Sequence, residues 1–83
     1  MSEESRLRWR CRRGMKELDL VLLRYLEQNY AEAPVEEQAA FRQVLEMQDP
    51  EILDHLTGRA DPPGGALGRV VETLRTGPGP YAS

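Results

Sequence analysis

The sequence predicts an all-α protein, a compact bundle of five short helices. Three observations lead to this prediction. Apolar residues recur every three or four positions along most of the chain, which is the period of an amphipathic helix. Prolines and glycines divide that pattern into short segments. The composition, with 40% hydrophobic and 30% charged residues, is typical of a soluble globular domain.

The first helix is predicted near the N-terminus, where residues 7–12 alternate between apolar and basic side chains. Alternation is the period of a strand, but a single strand would find no partner in this chain, so we predict a short helix. Leu7 and Cys11 are four residues apart and would face the core together. A second helix is predicted over residues 15–30. Its apolar stripe consists of Leu18, Val21, Leu22, Tyr25 and Leu26.

Prolines indicate where the third and fourth helices begin. Pro34 ends the second segment and is predicted to occupy the first position of the third helix. The core residues of this helix would be Ala40, Phe41, Val44 and Leu45. The fourth helix is predicted over residues 50–57, with Asp49 as its N-cap and Gly58 as its end. Its core residues would be Ile52, Leu53 and Leu56.

The fifth helix is predicted over residues 66–75, after a loop rich in proline and glycine. Its apolar residues follow helical spacing and are Leu67, Val70, Val71 and Leu74. We therefore expect one helical domain over residues 1–75 and a flexible C-terminal tail over residues 76–83.

The composition excludes several classes of protein. No run of apolar residues approaches the roughly 18 needed to cross a membrane, and the acidic N-terminus does not resemble a signal or transit peptide. A single cysteine and a single histidine form neither an internal disulfide nor a four-ligand zinc site. We expect a monomer in the reducing cytoplasm, with no membrane insertion and no metal.

Charge is distributed unevenly along the chain. Residues 5–16 contain six cations and no anion, while the rest of the chain contains five cations and all 14 anions. A basic segment on an acidic body is typical of a surface that meets a partner.

A short motif lies at the junction of the first two predicted helices. It reads Arg13-Gly14-Met15-Lys16-Glu17, an Arg-Gly-x-x-Glu pattern that Trp9 precedes and Asp19 closely follows. In motif, helix order and spacing, residues 6–74 resemble the SdhE/YgfY family of succinate dehydrogenase assembly factors, also called flavinators. One position departs from that family, since the predicted fourth helix carries His55 where some relatives have an aromatic residue.

The resemblance implies a function. Members of this family are five-helix domains that bind the flavoprotein subunit of succinate dehydrogenase or fumarate reductase and promote covalent attachment of FAD to it. It therefore implies an assembly factor and not an enzyme, with no stably bound cofactor, because FAD belongs to the partner. The family's functional motif falls on Arg13, Gly14 and Glu17. The neighbouring Arg6, Trp9 and Asp19 are weaker candidates for partner binding.

The motif residues suit a contact surface, but they also have a purely structural interpretation. Arg13 offers a planar fork to a carboxylate or carbonyl group, Gly14 lets a backbone approach closely, and Glu17 accepts hydrogen bonds. The spacing would place all three on one face at the start of the second helix. Alternatively, Gly14 only permits the turn, and Arg13 and Glu17 form a surface ion pair. With the resemblance, we favour the contact surface.

Other interpretations of individual residues are weaker. The arginines around Trp9 could bind nucleic acid, but the acidic body would repel phosphates and one aromatic ring stacks few bases. We expect instead a solvated basic face with Trp9 packed at the edge of the bundle. Cys11 is expected to be a small core residue and not a reactive thiol. His55 is expected to be a surface histidine, since no nucleophile or orienting group adjoins it.

A second function fits the same fold. The chain could be a generic helical interaction module, such as an antitoxin-like or regulatory binder, with a different protein partner.

Overall fold

The computed structural model describes residues 2–76 and confirms the predicted all-α fold. The five helices in this range are α1 (Glu3–Arg10), α2 (Lys16–Gln28), α3 (Val35–Glu46), α4 (Asp49–Thr57) and α5 (Gly65–Thr76). A 3-10 turn, Tyr30–Glu32, joins α2 to α3. None of the described helices is both long and apolar enough to cross a membrane. The predicted C-terminal tail lies outside the described residues from position 77 onward.

The helices enclose one core, which all five contribute to. Phe41 is fully buried in α3, and its ring stacks on Tyr25 of α2 with 4.6 Å between the ring centroids. The ring centroid of Tyr30 lies 5.6 Å from that of Phe41. All predicted core residues are buried except Leu53 and Leu67, which are partly buried and pack against the core. Helical periodicity therefore identified the core almost completely.

The first helix begins earlier than its apolar pattern suggests. It starts at Glu3, because the Ser2 hydroxyl caps it by accepting a hydrogen bond from the Ser5 N–H at 3.1 Å. The predicted inward pair, Leu7 and Cys11, is confirmed, since both side chains are buried. This arrangement turns the intervening residues of α1 away from the core.

Two predicted helix starts are wrong by one residue. Pro34 is the N-cap of α3 and not its first helical residue, and its carbonyl accepts from the Glu37 N–H at 2.9 Å. Asp49 is the first residue of α4 and not its N-cap, a position that Gln48 occupies. The Gln48 N–H donates to the Glu51 carboxylate at 3.4 Å. The Asp49 carboxylate instead accepts a hydrogen bond from a residue in another part of the chain.

The connection between α4 and α5 depends on two glycines. Gly58 ends α4 as predicted, with a positive φ of 82° that other residues rarely adopt. Gly68 lies where the loop crosses α5, and a Cβ at this position would overlap the Pro63 carbonyl oxygen. The loop can therefore lie close against α5 only because residue 68 has no side chain.

Candidate functional site

The Arg-Gly-x-x-Glu motif lies at one end of a helical hairpin formed by α1 and α2. The Tyr30 hydroxyl, just beyond the end of α2, donates to the Glu3 carboxylate at the start of α1 at 3.0 Å. The two helices therefore run antiparallel. Since α2 begins at Lys16, Arg13 and Gly14 lie in the connecting loop. The expectation that all three motif residues share a face of the second helix is therefore wrong. The positive φ of Gly14 and the extended backbone of Met15 delay the start of the helix.

Gly14 leaves an open backbone position on the surface. Its φ is 87°, and a Cβ built on it would have no heavy atom within 4 Å. The positive φ shows that glycine permits this turn, as one interpretation of the motif requires. The empty space around it also leaves the backbone of residue 14 accessible to another protein.

Arg13 is bound by its own chain. Its guanidinium donates through Nε to Asp49 Oδ1 at 2.5 Å, through Nη1 to the Leu45 carbonyl at 2.9 Å, and through Nη2 to the Met47 carbonyl. Only 15% of the side chain is exposed. The alternative of a surface ion pair between Arg13 and Glu17 is wrong, because Arg13 pairs with Asp49.

The two acidic candidates differ in their surroundings. Asp19 is half-buried, and its Oδ1 accepts a hydrogen bond from the Arg13 backbone N–H at 2.8 Å. Glu17 is exposed in the first turn of α2 and forms no ion pair within residues 2–76. The carboxylate of Glu17 is therefore free to accept hydrogen bonds from outside, whereas that of Asp19 holds the loop.

Trp9 is 76% exposed, so the prediction that it packs at the edge of the bundle is wrong. Leu7 and Cys11 occupy the inward face of α1, and Trp9 therefore faces solvent. Its indole borders an open depression of about 380 Å³. The other residues lining this depression are Arg10, Arg12, Arg13, Leu45 and Asp49.

Most of the basic segment remains unpaired. Arg8 pairs with Glu27 at 2.7 Å and with Glu4 at 3.4 Å, and Arg13 pairs with Asp49. The other cations of the segment form no ion pair within the described residues. They are Arg6, Arg10, Arg12 and Lys16.

Trp9, Arg10 and Arg12 border the same depression, and Arg6, Gly14 and Glu17 are exposed residues of the same helical hairpin. We call this part of the hairpin the docking surface and define it by its residues, which are Arg6, Trp9, Arg10, Arg12, Gly14 and Glu17. It combines an exposed tryptophan, free cations and an open backbone position, which are features typical of protein interfaces. Sequence reasoning identified Arg6, Trp9, Gly14 and Glu17 as candidates. It interpreted Arg10 and Arg12 as part of a solvated basic face and did not name them as partner-binding candidates, although their place in the basic segment was a signal.

The remaining chemically reactive residues lie elsewhere. Cys11 is fully buried, and the loss of hydration raises the pKa of its thiol to about 11. His55 was expected on the surface, but it is half-buried in α4, and its Nδ1 has no hydrogen-bond partner within the described residues. No three potential metal ligands come together in residues 2–76.

We expect Cys11 to react slowly with thiol reagents in the folded chain at pH 7 and rapidly in denaturant, because only the exposed thiolate is nucleophilic. The pKa of about 11 lies above the ordinary value of 9.0. The thiol therefore stabilises the fold fully below about pH 9, and this contribution is lost as the pH rises through 11. Labelling rates with and without denaturant test the first expectation. Unfolding curves of the chain and of Cys11→Ala at pH 7 and 10 test the second, because the variant should lose less stability. Fast labelling of the folded chain would contradict the burial of Cys11.

The sequence was compared with known proteins. Residues 5–77 match the model of a protein family described as "Flavinator of succinate dehydrogenase". The chain is 47% identical over 75 residues to the FAD assembly factor SdhE of Methylococcus capsulatus, and the match covers 90% of each chain. It is 35% identical to the FAD assembly factor SdhE of Psychrobacter arcticus, covering 90% of this chain and 81% of that one.

A third relative is the FAD assembly factor SdhE of Pectobacterium atrosepticum. It is 32% identical over 76 residues, which cover 92% of this chain and 86% of the relative. No solved structure is a significant match to the chain. Together with the five-helix fold and the Arg-Gly-x-x-Glu motif, these matches show that the chain belongs to the family of succinate dehydrogenase flavinators.

Proposed function

We propose that this chain binds the flavoprotein subunit of succinate dehydrogenase, or of fumarate reductase, and promotes covalent attachment of FAD to it. Membership of the flavinator family and the names of its relatives support this proposal. The observation that carries it is that the hairpin exposes the open backbone of Gly14 together with Trp9 and unpaired arginines. A protein partner can bury such a surface without rearranging the core beneath it.

The motif residues Arg13, Gly14 and Glu17 are the proposed partner-binding site. Gly14 offers its backbone groups with no side chain in the way, and the Glu17 carboxylate can accept hydrogen bonds from the partner. Arg13 belongs to the site as the residue next to Gly14. Trp9 and Arg6 extend this site along α1, and Asp19 supports it from α2.

Charge and apolar contact have different roles in this interface. A tryptophan that becomes buried by a partner often contributes much of the binding free energy of an interface, so Trp9 is the proposed anchor. The free arginines favour an acidic partner surface and speed association more than they strengthen the final complex. Because exposed charges are screened by salt, we expect binding to weaken as ionic strength rises.

The proposed activity does not require a catalytic group on this chain. By holding the flavoprotein subunit in one conformation, the chain would align the bound FAD with the residue that accepts it. Alignment of reacting groups can lower a barrier by several kcal/mol. The proposal therefore assigns FAD and the residue that accepts it to the partner. It also takes the chain to act as a monomer in the cytoplasm, where the single cysteine stays reduced.

The experiment measures covalent flavin on the flavoprotein subunit in a strain with or without this chain. After denaturation and electrophoresis, fluorescence of the subunit band reports covalently attached flavin only. We expect a strong band with the chain and a weak or absent band without it, at equal amounts of subunit by immunoblot. Equal flavin fluorescence in both strains would contradict the proposed function.

A further inference from the structure

We infer that Arg13, although it belongs to the motif, is a positioning residue: with Asp49 it holds the Gly14 loop in place for the partner, and its guanidinium does not bind the partner. This inference rests on the proposed function, because it divides the work among the residues of the motif. It also assigns a role to Asp49, which lies 36 residues away in the sequence.

The guanidinium of Arg13 is already engaged by its own chain. Three of its five N–H donors, one on each nitrogen, bind acceptors of the same chain, and only 15% of the side chain is exposed. A partner carboxylate would have to displace Asp49 and two backbone carbonyls to use the same donors. An arginine engaged in this way is poorly suited to bind a second protein.

The acceptors of Arg13 lie at the end of one helix and the start of the next. The Leu45 carbonyl belongs to the last turn of α3, where carbonyl groups lack partners within the helix, and Met47 caps the same helix. Asp49 is the first residue of α4. Arg13 therefore satisfies acceptors at the corner between α3 and α4 and attaches the α1–α2 loop to that corner.

Arg13, the residue directly before Gly14, is attached at two points. Its guanidinium binds the α3–α4 corner. Its backbone N–H donates to Asp19 of α2 at 2.8 Å. Gly14 follows directly in the sequence and belongs to no helix, so these attachments restrict the backbone that the partner would meet. Restricting a loop before binding reduces the entropy lost on binding.

The test is a double-mutant cycle measured as affinity for the flavoprotein subunit. The variants are Arg13→Ala, Asp49→Ala and the combination of both, each first shown to be folded by circular dichroism. If Arg13 acts through Asp49, each single variant should weaken binding about tenfold, and the double variant should weaken it about tenfold as well. If Arg13 contacts the partner directly, Asp49→Ala should have little effect and the fold-changes should multiply.

A matched control uses Arg6→Ala combined with Asp49→Ala. Arg6 is an exposed arginine of the docking surface with no ion pair in the described part of the chain. Its fold-change should multiply with that of Asp49→Ala, since the two side chains do not share an interaction. If an alanine variant does not fold, Arg13→Lys and Asp49→Asn serve in the same cycle.

The outcomes separate this inference from the proposed function. Failure of the unmodified chain to bind the flavoprotein subunit would overturn the proposed function. Binding by the unmodified chain with multiplying effects of the Arg13 and Asp49 variants would overturn only the positioning role. Unchanged affinity in Asp49→Ala would overturn that role too. Effects that do not multiply for Arg13 and Asp49, but do for Arg6 and Asp49, support it.

Discussion

Gly14→Arg is expected to abolish covalent flavinylation of the partner while leaving this chain folded. The new side chain would project from an exposed position with no neighbouring atoms, so it would obstruct the docking surface without disturbing the core. The positive φ of residue 14 should cost about 1–2 kcal/mol in a non-glycine residue, which a stable domain tolerates. Flavin fluorescence of the denatured subunit, from a strain carrying only this variant, is the measurement. Normal flavinylation would refute the interface at Gly14.

Two control variants separate obstruction from backbone strain. Gly14→Ala introduces the same strain with a much smaller side chain, so we expect it to retain more flavinylation than Gly14→Arg. Gly58→Arg places the same large side chain at another glycine with positive φ, located at the end of α4 opposite Asp49. We expect the Gly58→Arg chain to be less stable but still to promote flavinylation. Equal loss of flavinylation in Gly14→Ala and Gly14→Arg would show that strain is the cause.

Phe41→Ala is expected to have the largest effect on stability. Its ring is fully buried and contacts the rings of Tyr25 and Tyr30. Truncation of a buried phenylalanine typically lowers the free energy of unfolding by about 3–5 kcal/mol, through lost burial and the cavity left behind. Because small domains are stabilised by only about 5–15 kcal/mol, this variant should be close to unfolding. Chemical denaturation followed by circular dichroism gives the change directly.

Val35→Ala is the matched control for this measurement. Val35 is also an apolar residue of α3, but it is 75% exposed. Its replacement should change the free energy of unfolding by less than about 0.5 kcal/mol. A loss below about 1 kcal/mol in Phe41→Ala would contradict the central position of this ring in the core.

Phe41→Ala and Gly14→Arg should reduce flavinylation in cells for different reasons. Phe41→Ala should reduce flavinylation only by reducing the amount of folded chain, since Phe41 lies in the core and not on the docking surface. Gly14→Arg should reduce flavinylation at a normal amount of chain. Immunoblots of this chain in both strains distinguish loss of protein from loss of binding.

Much of the fold could be predicted because its signals are local. The spacing of Leu18, Leu22 and Leu26 indicates both the helix and its buried face, and Gly58 marks a helix end through its own backbone preference. Cys11 was correctly placed in the core because it is four residues from Leu7. The motif also indicated the region of the candidate site.

Predictions failed where a residue had two local options or a distant partner. Pro34 and Asp49 were each placed one position wrongly. Aspartate is favoured both as an N-cap and in the first turn, where it complements the helix dipole, so local preference does not decide between these positions for Asp49. Trp9 was expected to pack at the edge of the bundle, but the inward face of α1 was already filled by Leu7 and Cys11.

By itself, the sequence determined five helices, their approximate bounds and the side chains that form the core. These properties follow from a helical period that each segment carries within itself. Only the tertiary structure decided which charged groups pair and which remain free. Arg13 binds Asp49 and not its sequence neighbour Glu17 because packing of the α1–α2 hairpin against the α3–α4 corner brings together residues 36 positions apart.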